Sequence, residues 1–317
     1  MTRSAHTISS TVPPQFKQWP IVDYLATRFN YLAAEKWQAW VEAGKVQRNN
    51  VVCTVETIVT AGDMIICELP EWEQPDANLE YEIIYEDEWI LGVNKPSNLR
   101  VHSGGRFLKM NLIYQLKYEH QPAYPEAELI NRLDADTSGV VLVGKRPEVV
   151  RETGKLFLHK QVEKEYVAVV VGVPTAASGE INLPVGKMPN TRVRYGVSEG
   201  AKNRKEAVTA YEIIETFGEG YALVKLRPLT GRTHQIRVHL AAIGHPIVGD
   251  KLYRSESEEQ FRHWCNHPEE AADAELIGRH ALHCTATAFT HPFTQEPFRV
   301  EAPLAADIAG LLTRLRG

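Results

Sequence analysis

The chain has 317 residues, 44% hydrophobic and 24% charged, with a formal net charge of −5 and a pI near 6.2. This length allows one large core plus a small module, and the mild acidity excludes a global polyanion-binding surface, so any nucleic-acid partner must meet local basic patches. Cys53, Cys67, Cys265 and Cys284 suggest no disulfide framework, the N-terminus lacks an apolar signal segment, and no apolar run approaches the ~18 residues that span a bilayer; a cytoplasmic protein with no membrane contact is expected.

Residues 1–15 are polar and end in prolines, which predicts a loosely held arm. Ile21, Val22, Leu25 and Phe29 follow helical spacing, and Trp37, Trp40 and Val41 repeat it up to Gly44, a C-cap candidate. Lys45–Cys53 reads as a strand turning at Asn49-Asn50, and Ala61–Cys67 as a turn followed by another strand. Lys45 and Arg48 lie near this hairpin as a candidate phosphate-facing patch, although Glu35 and Glu42 make a solvated mixed-charge face the simpler reading. Residues 71–80 have linker composition, with Pro75 among acidic residues, and a second domain is expected over 81–317.

In that second domain, residues from Tyr81 and from Trp89 read as paired strands, followed by Lys95-Pro96 and a turn-rich stretch from Val101 to Gly105. Residues 130–145 join a loop rich in Asp, Thr and Ser to the apolar run Val140–Val143, which reads as a buried strand. Asp134 is therefore a loop carboxylate at the edge of a core, the usual position of a catalytic group, with an Asx-turn as the structural alternative. Pro147 opens a helix, residues 163–172 form an alternating strand bearing Tyr166, and further strands follow at 206–216 and 221–228. A helix runs from about Thr233 to Ile243, stopped by Gly244 and Pro246. Arg232 falls at the preceding turn, where a cation opposes the helix dipole and asks for a carboxylate partner, or is simply a surface arginine. Mostly strands with interposed helices predict an α+β domain with a mainly antiparallel mixed sheet.

Several of these stretches form one pattern. Asn94-Lys95-Pro96, Val101-His-Ser-Gly, Arg132-Leu-Asp-x-x-Thr-Ser-Gly followed by Val-Val-Leu-Val, Lys164-x-Tyr-x-Ala-x-Val-x-Gly and Thr230-Gly-Arg-Thr-His-Gln-Ile-Arg237 together resemble the RluA-type RNA pseudouridine synthases. The resemblance implies the pseudouridine synthase fold, with Asp134 as nucleophile and Arg232 as the arginine that pairs with it. It implies that Tyr166 contacts the target uracil and is placed for proton transfer, and that Arg132 fills the gap left by a base rotated out of its stack. Thr137 and Arg237 are expected on the substrate side, Arg237 and His239 supporting the loop or touching phosphate.

Residues 16–70 resemble the small α/β ribosomal-protein-S4-like RNA-binding domain, which implies RNA contacts for Lys45 and Arg48. The implied substrate is a uridine in structured RNA, large-subunit ribosomal RNA first and tRNA as the alternative, handled by a monomer without cofactor or metal. The chain departs from the family pattern at Asn131, where His is usual, and in a long connection over 254–278. Two other classes compete: a non-catalytic RNA-binding protein that retains the fold, and a metal-dependent hydrolase built on His263, Cys265, His267, His280, His283 and Cys284. The second lacks a C-x-x-C pair, and no Walker-type loop is present.

Overall fold

In a computed structural model that describes residues 3–29, 32–104 and 107–317, the chain divides into two compact units, one of residues up to 77 with 102–114, the other of 78–101 with 115–317. Gly105 of the expected turn-rich stretch lies outside the described residues. No described helix is long and apolar enough to cross a membrane.

The first unit contains β1 (Arg3–Thr11), β2 (Trp19–Pro20), α1 (Ile21–Arg28), α2 (Ala34–Glu42), β3 (Val46–Arg48), β4 (Val51–Val52), β5 (Ile58–Val59), β6 (Met64–Glu73) and the short α3 (Leu112–Tyr114). Its sheet runs β1-β6-β3-β4, and β2 pairs with β5. Tyr24, Leu25, Trp37, Val41, Val46 and Ile65 close the core. Trp37 is fully buried and donates its indole N–H to the Phe29 carbonyl at 3.1 Å, so its ring serves packing and not base stacking. Asn49 and Asn50 both have positive φ (51° and 67°), as a two-residue hairpin turn requires.

Two expectations need correction here. Residues 3–11 of the expected arm form a strand paired with β6. Thr7, Ile8 and Thr11 are β-branched and suit a pleated surface, a preference that polar composition hides, and Val12 is buried just beyond them. The expected linker also starts too early, because β6 continues to Glu73. Pro70 is tolerated because the ladder is irregular there, with a register shift between Ser4 and His6 of the partner strand. Gln74 is buried, and its side-chain oxygen accepts the backbone N–H groups of Leu108 and Lys109 at 3.0 and 2.7 Å.

The second unit holds β7 (Glu82–Glu86), β8 (Ile90–Lys95), β9 (Glu128–Leu129), β10 (Ser138–Gly144), α4 (Pro147–Leu158), β11 (Glu163–Val171), β12 (Ser178–Asn182), β13 (Val185–Lys187), β14 (Tyr195–Gly196) and β15 (Lys202–Lys205). Then come β16 (Val208–Phe217), β17 (Tyr221–Pro228), α5 (Gln235–Ala242), α6 (Lys251–Arg254), α7 (Glu258–Asn266), β18 (Leu282–Thr290), β19 (Pro297–Glu301) and α8 (Ala306–Arg316). Ten strands form one sheet, ordered β12-β16-β17-β11-β18-β10-β8-β7 with β19 on β18 and β9 on β10; β13, β14 and β15 make a separate small sheet. Within the large sheet β10 pairs β18 in parallel and β8 antiparallel, the expected α+β architecture with a mixed sheet. The connection over 254–278 contains α7 and a 3-10 turn at Pro268–Glu270.

All seven residues of β10 are buried, which is why Val140–Val143 reads as an unbroken apolar run. Only Ser138 and Gly139 pair with β18, opposite His283 and Cys284. Gly139 has φ +108°, and a Cβ there would overlap the Cys284 carbonyl oxygen. Gly139→Ala is therefore expected to destabilise the protein by about 3 kcal/mol or more, from backbone strain plus overlap. Denaturant midpoints check this, and a loss under about 1 kcal/mol would show that β10 and β18 can separate without consequence.

Candidate active site

Asp134 sits in the loop between β9 and β10, where the Thr137 amide donates to the Asp134 carbonyl at 3.2 Å. The turn is thus closed by backbone, and the carboxylate is left to act elsewhere. Arg237, in the first turn of α5, donates from Nη1 to Asp134 Oδ2 at 2.8 Å. Its other face grips Asp250, with Nε to Oδ2 at 2.7 Å and Nη2 to Oδ1 at 2.9 Å. Asp250 in turn caps α6 by accepting the Leu252 and Tyr253 amides at 3.1 and 3.0 Å. The Tyr253 ring lies 5.1 Å from the guanidinium carbon, within cation–π range.

Accessibility grades along this chain: the Asp134 side chain is 28% exposed, Arg237 9% and Asp250 0%. Asp134 is thus the end that a substrate can reach. Burial alone would raise its pKa, but the charge of Arg237, with help from His234 and His280, holds the carboxyl below its usual value. Asp250 is held lower still by the same arginine against full burial. Arg237, penalised by burial, is nevertheless pushed above its ordinary value by Asp250 and Asp134.

The backbone of the Asp134 loop is secured by two more cations. Lys95, fully buried at the end of β8, donates to the carbonyls of Pro96, Leu99 and Ala135 at 2.8, 2.9 and 2.8 Å. Burial pushes its ammonium down to about 7, against the opposing charge of Asp136. Arg279 donates to the Asp136 carbonyl at 2.9 Å and the Ser138 hydroxyl at 3.0 Å, while gripping Asp307 of α8 at 2.7 and 2.8 Å. Asn131, the departure from the family pattern, accepts the Leu142 amide at 2.7 Å and so ties the loop to β10. The sequence signals both only as members of motifs, Lys95 in Asn94-Lys95-Pro96 and Arg279 in Arg279-x-Ala-Leu-His-Cys284, and neither motif states what the cation holds.

Tyr166, on β11 next to β18, is 8% exposed. Burial, its contact with the Cys284 thiol and the charge of Asp134 raise its phenol well above the ordinary value, so it stays protonated. His234 adopts a left-handed conformation (φ 57°) ahead of α5, placing Nε2 3.8 Å from Asp134 Oδ2 and Nδ1 2.9 Å from the Tyr253 hydroxyl. Burial and the neighbouring Arg237 push His234 down to about 4.

The sequence-based residue assignments divide. Asp134 and Tyr166 fall in one site, but Arg232 does not pair with Asp134: its Nε donates to the Glu206 carbonyl at 2.9 Å. Arg237 makes that pair, because the left-handed turn at His234 and the first turn of α5 aim it inward while Arg232 remains on the approaching loop. Arg237 is consequently buried between carboxylates and is not a phosphate contact. Thr137, 2% exposed and bonded to His280 Nε2 at 2.8 Å, supports the loop and is out of a substrate's reach. His239 is likewise buried, bonded to Thr209 and the Leu183 carbonyl, both at 2.9 Å.

Arg132 is exposed with no hydrogen bond or ion pair among the described residues. In the first unit, Lys45 pairs with Glu68 at 2.7 Å, and Arg48 donates to the Ile58 carbonyl at 2.6 Å. The histidine–cysteine clusters do not converge. His280 and His283 are buried and bonded to Thr137 and Ser138, whereas His263 and His267 are exposed beside Glu270 and Glu269.

A model of the RNA pseudouridylate synthase family matches residues 90–242, the segment that carries Asp134, Tyr166 and Arg237. An uncharacterized RNA pseudouridine synthase of Synechocystis sp. is 32% identical over 303 residues, 92% of this chain and 88% of that protein. Ribosomal large subunit pseudouridine synthase D of Xylella fastidiosa is 33% identical over 302 residues, 92% and 87% of the two chains. Among solved structures, human RNA pseudouridylate synthase domain containing 1 aligns with a TM-score of 0.57 at 26% identity, over 77% of this chain and 98% of that one.

The site's histidines make stability depend on pH. Burial pushes His280 and His283 down to about 4 from 6.5, so between these values the unfolded chain binds protons that the folded chain does not. Stability is therefore expected to fall as pH drops from about 6.5 toward 4, by about 1.4 kcal/mol per pH unit for each ring. The depressed carboxyls of Asp134 and Asp250 stabilise the fold above the ordinary carboxyl range and lose that effect on further acidification. Denaturant midpoints across this range, compared with His280→Asn and His283→Asn, check the assignment; a slope that neither substitution flattens would mean the rings are already charged in the fold.

Proposed function

Since this chain belongs to the RluA-type RNA pseudouridine synthases, an isomerase family, we propose that it converts uridine to pseudouridine in large-subunit ribosomal RNA with Asp134 as its catalytic carboxylate. The observation that carries the residue assignment is the Asp134–Arg237–Asp250 chain: it keeps one loop carboxylate ionised, aimed and partly open to solvent. The ribosomal substrate rests on the relatives of known name, several of which are large-subunit synthases.

In this reading the target nucleotide is rotated out of its stack, and Arg132, exposed and unengaged, fills the space it leaves. The bond between N1 and C1′ breaks, the uracil turns, and a bond forms between C5 and C1′. The C5 proton is lost and N1 gains one, so nothing is consumed and no cofactor is required. Attack on C1′ and initiation of a glycal both need an ionised carboxylate, and Asp134 supplies it. Tyr166 offers its ring to the uracil and, held protonated, can give up its hydroxyl proton but cannot act as a base. The first unit is read as the S4-like RNA-binding module, with Lys45 and Arg48 at its phosphate-facing hairpin.

Pseudouridine mapping of total RNA from cells with and without the protein tests the substrate. Loss of a site in large-subunit ribosomal RNA is expected; loss confined to tRNA would overturn that choice. Asp134→Asn should lower single-turnover isomerisation by roughly a hundredfold or more while the fold and RNA affinity remain, since the amide is nearly isosteric. Activity near wild type would remove Asp134 from its role. Arg237→Lys keeps the charge but loses the fork that spans two carboxylates, so it should slow the chemical step by roughly tenfold or more. Arg232→Ala should leave the pH profile of that step where it is, and a shifted profile would return the pairing role to Arg232.

A further inference from the structure

We propose that the small sheet of β13, β14 and β15 is a phosphate-binding surface that holds the RNA backbone beside the target uridine. The proposal rests on the reading of this chain as an RNA-modifying enzyme and adds where, outside the catalytic loop, the strand is gripped.

The first observation is a like-charge pair. Lys187 of β13 stands directly opposite Lys202 of β15 in the ladder, an arrangement that destabilises a sheet. All four residues of β15, Lys-Asn-Arg-Lys, are exposed, and Arg192 is exposed on the same hairpin. Among the described residues, the side chains of Lys187, Arg192, Lys202, Arg204 and Lys205 have no hydrogen bond or ion pair. Several exposed cations elsewhere in this unit are matched, Arg151 and Lys155 with Glu152, Arg146 with Glu88 and Glu148, Arg316 with Glu215, whereas Arg132 of the Asp134 loop is not. A chain of net charge −5 thus leaves one small sheet strongly positive and uncompensated.

The second observation is its attachment to the site. Val185 and Ala207 pack with Val238 of α5, the helix that carries Arg237, and Tyr195, Val197 and Tyr253 close around them. The Tyr195 ring meets His234 edge-on at 5.6 Å, and His234 lies 3.8 Å from Asp134. Arg194, the half-buried cation of the hairpin, donates to the carbonyls of Leu252 and Ser255 at 2.6 and 2.7 Å and so ties the sheet to α6. The hairpin is therefore anchored by its apolar face to the helix that carries Arg237 and by Arg194 to α6, with the remaining cations turned to solvent. A polyanionic strand threaded past Asp134 neutralises them, and relieves the Lys187–Lys202 repulsion as it does so.

The test measures binding of the full chain to deproteinised large-subunit ribosomal RNA against potassium chloride concentration. Lys187→Ala, Lys202→Ala and Arg204→Ala are each expected to weaken binding and to reduce the slope of log affinity against log salt by about 0.7 to 0.9, and the triple variant by about 2 to 3. Thermal melts report folding, and the single variants keep the test decisive if the triple variant unfolds. The double substitution Arg151→Ala and Lys155→Ala removes two ion-paired cations and should leave the slope unchanged. Single variants with the wild-type slope overturn the proposal, as does a control that loses as much as they do. Reduced slopes in a protein that makes no pseudouridine in ribosomal RNA would uphold this surface and overturn the function proposed above.

Discussion

A single guanidinium connects the Asp134 loop to the rest of the second unit. Arg237 holds Asp134 with one nitrogen and Asp250 with two, and Asp250 caps the helix that follows. Each group depends on the others: two largely buried carboxylates are tolerable only beside a cation, and a buried cation near a helix start only beside carboxylates. Removing the cation would leave uncompensated charge in the interior, a loss of about 3 to 5 kcal/mol in comparable cases. Orientation of the Asp134 carboxylate and integrity of the fold are thus secured by the same contact.

The loop itself is held by its main chain. Lys95 and Arg279 reach the carbonyls of Ala135 and Asp136, directly after Asp134, from opposite ends of the unit's sequence. A loop this short cannot satisfy its own carbonyls by a ladder, and charged donors form stronger bonds to them than neutral ones. Arg279 also grips Asp307, so α8 is joined to the same loop. The backbone neighbours of Asp134 are thus fastened without its side chain taking part.

The imidazoles around this network stay neutral. His234 and His280 are held near 4 by burial, and His283 likewise. In the neutral state each ring can act as a hydrogen-bond bridge, to Tyr253, Thr137 and Ser138 respectively, without adding charge next to Arg237. Of the three charged groups joined by Arg237, Asp134 is the one that faces outward.

The local order was readable in the chain. Alternation in residues 163–172, the unbroken apolar run at Val140–Val143 and the helix stops at Gly44 and Gly244 place strands and helices because each is a short-range period or a backbone preference. The loop position of Asp134 followed from the same evidence, and its family motif marked it for chemistry. Residues 3–11 look like an arm in the sequence because β-pairing depends on an edge supplied by β6, some sixty residues away, and composition does not report that edge. The choice between Arg232 and Arg237 was closed to the sequence for a similar reason. Both lie in one motif, five positions apart, and either could reach a carboxylate; which one does so is decided by the left-handed residue at His234 and by the packing of α5 against a loop 103 residues earlier. Local patterning names the elements and the chemical groups, whereas the pairing of charges across the core exists only once distant elements have packed.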